Sequence, residues 1–143
     1  MISIILPVYN QQDIITLVLD GIYKNSSRLV KELIIVIDGC TDRTEAVVRG
    51  FLQENATWKK EATIRLLFAD NVFEVIASNI GMKAANEPYC LCVQDDMVIQ
   101  ELGWDARMIK PMLVWEDVFA VTARYAHNHV IENRDLIHTD YGG

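Results

Sequence analysis

Cysteine is scarce and unpatterned in this chain: Cys40, Cys90 and Cys92 form no Cys-x-x-Cys and cannot all pair. That count excludes a disulfide framework and fits a reducing compartment. No apolar run approaches the roughly 18 residues of a membrane span. The apolar opening Met1–Leu6 has no basic lead-in and meets Pro7 at once, so it reads as a first strand and not as a signal peptide. Basic residues are few and scattered, 13 against 20 acidic ones for a net charge of −7, which argues against a nucleic-acid partner. Neither GxxxxGK followed by Ser or Thr nor GxGxxG occurs, so no glycine-rich loop is set to cradle a phosphate. Internal repeats and low-complexity tracts are absent as well.

What is there is an ordinary globular composition, 51% apolar and 23% charged over 143 residues. A chain of that size forms one domain that buries roughly 70% of its unfolded surface without a staple. The reading is of a cytoplasmic protein, with peripheral membrane attachment left open.

Apolar runs and helical stripes alternate along the chain. Ile2–Leu6 is a short β-branched run closed by Pro7, a buried strand. Ile14, Ile15, Val18, Leu19 and Ile22 make one helical stripe ending near Asn25-Ser26-Ser27. Leu33–Ile37 is a second strand, cut off by Asp38-Gly39. Asp42 and Glu45 have the spacing of a capping box, opening a helix whose apolar face is Val47, Val48, Phe51 and Leu52. Ile64–Phe68 is a third strand, followed by Asp70-Asn71. Phe73, Ile76, Ala77, Ile80 and Ala84 form the next stripe, despite Gly81. Tyr89–Val93 is a fourth strand. Leu102, Ala106, Ile109 and Leu113 predict a helix that Pro111 should kink or shorten. Val118–Thr122 is expected as a fifth strand. Cys90 and Cys92 alternate on strand four and are expected as small core residues.

Strands alternating with helices imply a mostly parallel sheet with helices on both faces. Ligands then bind outside the carboxyl ends of the strands. Those ends carry Tyr9-Asn10, Asp38, Asp70-Asn71 and Gln94-Asp95-Asp96, all acidic or hydrogen-bonding groups. An oxygen-only set of carboxylates favours Mg2+ or Mn2+ over zinc, and such an ion takes one or two carboxylates together with substrate phosphate oxygens. A phosphate ester is the implied ligand. Each of these residues also has a plain reading, Asp38 as a turn before glycine, Asn71 and Asn79 as turn and helix-surface groups.

Four segments together resemble the nucleotide-sugar-binding half of a family-two glycosyltransferase of the glycosyltransferase-A fold. They are Ile5-Leu6-Pro7-Val8-Tyr9-Asn10, Val36 to Thr44 with Asp38-Gly39-Cys40-Thr41-Asp42, Asn71 with Ala77 to Ala85, and Val93-Gln94-Asp95-Asp96-Met97. The resemblance covers about residues 2 to 100. It implies a Rossmann-like three-layer α/β/α sandwich with a mostly parallel sheet, truncated at its C-terminus. Residues 1–100 would be the nucleotide-sugar-binding half and 101–143 the start of the acceptor-side half. The implied reaction moves a sugar from a nucleoside diphosphate to an acceptor hydroxyl with inversion. By that likeness Pro7 and Tyr9 border the base, Asp38 accepts a hydrogen bond from a base N–H, Asp95 sits at the ribose, and Asp96 holds Mg2+ or Mn2+ on the diphosphate. Asn71 and Asn79 are further candidates for the donor.

The chain departs from the family pattern at three places: Gln94 stands for the first Asp of the metal motif, Ile37 and Cys40 flank Asp38-Gly39 where Asp and Ser are usual, and Ser78 replaces an Arg. The catalytic base of the family would fall beyond Gly143. Glu116 and Asp117 come too early for that role, and His127 and His129 lack a partner that would mark them as ligands. Trp58, Trp104 and Trp115 read as packing or acceptor-side residues. The acceptor, whether carbohydrate, lipid-linked or protein, is open, as is the biosynthetic setting. Two rival readings are a non-catalytic nucleotide- and metal-binding module and a nucleotidyltransferase, though the latter would want a Gly- and Arg-rich loop after strand one.

Overall fold

A computed structural model describes residues 1–55 and 62–123. Its elements run β1 (Ile2–Val8), α1 (Ile15–Asn25), β2 (Val30–Asp38), α2 (Thr44–Glu54), β3 (Thr63–Ala69), α3 (Phe73–Ala84), β4 (Tyr89–Cys92) and α4 (Trp104–Val114). The four strands form one sheet in the order β3-β2-β1-β4, and every pairing is parallel.

The apolar runs explain why β1 and β2 are central. All seven residues of β1 and eight of the nine in β2 are buried, so both faces of these strands must be covered. On one face Ile4, Leu6, Leu33 and Ile35 pack with Val18, Leu19 and Ile22 of α1, Val48 of α2 and Ile109 of α4. On the other, Ile5, Ile34 and Val36 meet Ala77 of α3. Three layers result. The chain steps from β3 past β2 and β1 to β4, and the covering helix changes face with that step, which creates a switch point between β1 and β4.

The contact between α3 and the sheet depends on small residues. A Cβ on Gly81 would collide with the Ile5 side chain and lie 3.3 Å from Val36 Cγ2, so the missing side chain sets how closely the helix approaches. A buried polar network pins the far end of the same helix. Glu32 accepts hydrogen bonds from the Ser3 hydroxyl (2.6 Å), the Asn86 backbone N–H (3.0 Å), the Asn86 side chain (2.9 Å) and Arg65 (2.9 Å). Arg65 also donates to the Ala84 carbonyl in the last turn of α3. With its C-terminal end held at the amino edge of the sheet, α3 points its first turn at the carboxyl edge.

Several local expectations differ from the structure. β1 runs on through Pro7 to Val8, and β2 starts at Val30, three residues ahead of the apolar run, with the buried Glu32 satisfied by four hydrogen bonds. The capping box does not form: Asp42 accepts from the Thr44 N–H at 2.9 Å, while Glu45 turns to Arg49 at 2.8 Å. Helix α4 contains Pro111 and continues three residues past it, and Leu102 lies ahead of it, exposed. Val118–Thr122 forms no strand among the described residues; Phe119 is 94% exposed and no sheet edge lies against the run to give its backbone a partner. Cys90 and Cys92 are exposed instead of core, since α3 packs over β1 and β2 and leaves the β4 margin uncovered. Trp104 does pack against the larger core, whereas Trp115 is exposed. Trp58, His127 and His129 lie outside the described residues.

Candidate functional site

At the carboxyl edge β1 and β4 part, and the way they part builds the site. Backbone groups of alternate residues face the same side of a strand, so Ile5, Pro7 and Tyr9 all address β4. The Ile5 carbonyl accepts from the Val93 N–H at 2.9 Å. Pro7 offers no N–H where β4 has already ended, so a proline inside a central strand costs no ladder bond. The next donor on that side, the Tyr9 N–H, is taken by the Asp95 carboxylate at 2.8 Å. A side chain thus replaces the missing strand, and a cavity of about 370 Å3 opens between.

Pro7, Tyr9, Asp38, Asn71, Asp95 and Asp96 all line this cavity. Asn79, the remaining candidate, is exposed on α3 and does not. Asp38 is buried at the end of β2, and its Oδ1 accepts the Val72 N–H at 2.7 Å, fixing the turn into α3. Gly39 after it has φ 61°, and a Cβ there would stand 2.7 Å from the Asn71 nitrogen, so glycine is required by both conformation and space.

Asp95 is bonded through both oxygens, to Tyr9 N–H and to the Gln11 side chain at 3.5 Å. Burial pushes its carboxyl up, the Tyr9 N–H counteracts this, and the neighbouring Asp96 adds to the rise. Asp96 is exposed and accepts no hydrogen bond from a described residue, leaving its oxygens free for a ligand. Gln94 donates to Glu74 at 3.0 Å across the cavity mouth, a contact that an aspartate at this position would turn into repulsion.

Other motif residues hold the loops together. The Asn10 side chain accepts from Thr41 N–H at 2.8 Å and donates to Thr41 Oγ1 at 3.0 Å; the Gln11 N–H reaches Thr44 Oγ1 at 2.7 Å. Asp42 takes the Gln12 and Thr44 amides. Burial opposes the Asp42 charge, but the Thr44 hydroxyl and these amides outweigh it and hold the carboxyl below its usual range. Cys40 bridges the same loops, accepting from Asn10 N–H and donating to the Val8 carbonyl, and burial pushes its thiol up, away from nucleophilic reactivity.

Phe73 and Glu74, also on the cavity wall, escaped the sequence reading. Phe73 fits the helical stripe with Ala77, Gly81 and Ala84, but one turn before Ala77 the sheet has ended, so the inward face meets the cavity instead of the core. The small residues Ala77 and Gly81 were the signal available: they mark where contact with the sheet stops.

The acidic donors on the cavity wall are oxygen groups, the kind a hard divalent cation takes. Among the described residues no three acidic, His or Cys groups converge on one point. Asp96 is the cavity carboxylate that accepts no hydrogen bond from a described residue.

The glycosyl transferase family 2 profile matches residues 3–140. The chain belongs to that family. Solved structures agree in fold. A mannosyltransferase, PcManGT from Pyrobaculum calidifontis in complex with GDP-Man and Mn2+, superposes with a TM-score of 0.60 at 23% identity, covering 66% of this chain and 27% of that one. S. aureus TarS 1-349 in complex with UDP gives 0.61 at 22% identity over 77% of this chain and 32% of that one. Its complex with UDP-GlcNAc gives 0.54 at 23%, over 66% and 26%. The family 2 chain described here therefore spans about a third or less of these proteins. Comparison with curated proteins returned no match. The fold is the glycosyltransferase-A sandwich expected, with β4 and the Gln94-Asp95-Asp96 turn at its switch point. No described helix is long and apolar enough to cross a membrane.

Proposed function

We propose that this family 2 chain is the donor-binding half of an inverting glycosyltransferase that uses a nucleoside-diphosphate sugar and Mg2+ or Mn2+. One observation carries the metal requirement. Asp38, Glu74, Asp95 and Asp96 all line the cavity, and no Lys or Arg among the described residues does. A diphosphate entering four carboxylates needs a cation the protein does not itself provide. The bound neighbours support the reading, one holding GDP-Man with Mn2+ and another UDP-GlcNAc.

Pro7 and Tyr9 border the base, Asp38 accepts one of its N–H groups, and Asn71 stands beside them at the turn into α3. Asp95, already fixed by Tyr9 and Gln11, orients toward the ribose hydroxyls. Asp96 would hold the ion, which when bound would supply Lewis acidity toward the departing diphosphate. Asn79 lies outside the cavity and is assigned no donor contact. The acceptor oxygen displaces the nucleoside diphosphate from the anomeric carbon and loses its proton to a base that no described residue supplies. Residues 101–143 begin the acceptor-side half.

Thermal unfolding with UDP or GDP, each with and without Mn2+, tests the site. A nucleotide at 100 times its Kd adds about 2.7 kcal/mol, which for this size raises Tm by about 8 °C. The rise should require Mn2+ and vanish in Asp96→Ala, whose fold is retained because the side chain is exposed. A folded protein that responds to neither nucleotide refutes the proposal.

A further inference from the structure

Phe73 is an expensive residue in an unexpected place. It opens α3 with φ 68°, a left-handed conformation that is an outlier for a bulky side chain. It is also 76% exposed, so burial does not offset the strain. A backbone bond fixes the residue before it, and the side chain of the residue after it reaches across the cavity mouth. The Val72 N–H is held by Asp38 at 2.7 Å, and the Glu74 side chain accepts from Gln94 at 3.0 Å. A glycine would adopt this backbone without steric strain. Backbone strain at a residue that lines a cavity is a feature of binding sites.

We propose that Phe73 is a specificity-determining residue that stacks on the heterocyclic base of the donor nucleotide. The inference rests on the donor-site reading above and extends it to a residue with no other assigned role. The ring heads the cavity wall formed by α3, while Pro7 and Tyr9 line the same cavity from β1. The electron-rich face of an aromatic ring disfavours phosphate and favours a flat, electron-poor heterocycle. Asp38, bonded to the residue next to Phe73, is an acceptor at the same end of the cavity. A planar base with a ring N–H, such as uracil or guanine, satisfies the ring and the carboxylate together.

The test separates base from phosphate. UDP, GDP and inorganic pyrophosphate, each with Mn2+, are titrated calorimetrically into wild type, Phe73→Gly, Phe73→Leu and Phe73→Trp. The preferred nucleotide should bind about ten-fold more weakly to the Gly and Leu variants, the scale of base–aromatic stacking. Phe73→Trp should keep wild-type affinity, and pyrophosphate should bind all four proteins alike. Phe73→Gly should also melt at a higher temperature, because the backbone strain is removed. Undiminished nucleotide affinity in the Gly and Leu variants overturns the inference alone. Equal losses for pyrophosphate, or a lower melting temperature for Phe73→Gly, overturn it by showing that the ring supports the fold. Failure of the wild type to bind either nucleotide refutes the donor site and this inference with it.

Discussion

Replacing Glu32 by Gln should remove about 2–3 kcal/mol of stability, although the shape is kept. The four donors divide evenly, with Ser3 and the Asn86 N–H on Oε2, and Arg65 and the Asn86 side chain on Oε1. A glutamine offers one carbonyl oxygen and one NH2, so one pair of donors faces another donor. The backbone N–H cannot turn, so the carbonyl faces it and Ser3, and the NH2 is left against the Arg65 and Asn86 side-chain donors. An orphaned buried donor costs about 1–3 kcal/mol, and the lost charge weakens every remaining bond. Arg65 is 35% exposed and can turn to water, which keeps the total below that of a fully buried pair. For a chain of this length the loss lowers Tm by about 6–12 °C. Thermal unfolding followed by circular dichroism reads it directly, and a fall of under about 3 °C at neutral pH would refute the network as a source of stability. The pH dependence gives a second check. Burial opposes the Glu32 charge, yet Ser3, Asn86 and Arg65 hold the carboxyl below its ordinary range. Its contribution is therefore complete above the unfolded carboxyl's pKa and lost as pH falls through the folded one. The gap between wild type and Glu32→Gln should narrow in acid, and a gap that stayed constant would contradict the linkage.

Asp95 should behave in the opposite sense. Burial raises its carboxyl, so the folded state holds that proton more tightly and Asp95 contributes more stability as pH falls. Asp95→Asn keeps an acceptor for Tyr9 N–H and should match or exceed wild-type Tm at pH 7, with the difference closing in acid, while losing about ten-fold in nucleotide affinity; a Tm drop at pH 7 would show that the charge itself is needed. Gly81→Ala gains about 1 kcal/mol in helix propensity but forces a methyl against Ile5 and Val36, an overpacking cost of about 1–3 kcal/mol, so the urea midpoint should fall. A higher midpoint would mean that α3 has slack against the sheet.

How far the sequence could be read follows from what each residue answers to. Runs such as Ile2–Leu6 and Leu33–Ile37 declare themselves because both faces of a central strand are apolar. Helical periodicity located α1, α2 and α3 to within a turn. It could not register where the sheet stops, and so counted Phe73 as core. Glu32 drew no reading because its partners, Ser3, Arg65 and Asn86, are distant in sequence and converge only in three dimensions. Pro7 looked like a terminator because its unused N–H position is harmless only where β4 diverges. Cys90 and Cys92 have the right alternation for a core, but alternation does not tell which strand a helix covers. In the site, acidic residues after strands were legible as a set, and only the fold separates Asp96, with free oxygens, from Asp95, committed to Tyr9 and Gln11.

The strand order also constrains how the chain assembles. Of the four described strands β1 is made first, yet it lies in the middle of the sheet, and its second neighbour, Tyr89–Cys92, is not synthesised until more than eighty residues later. During that interval Ile2–Val8 is a β-branched segment without charge and with one open edge, the kind that pairs promiscuously. Pairing with β2 shields one side early, while the side that becomes the cavity waits. Pro7, silent as a donor on that waiting side, also denies a foreign strand one of the hydrogen bonds it would need, so the same residue that parts β1 from β4 guards the nascent chain against misassembly.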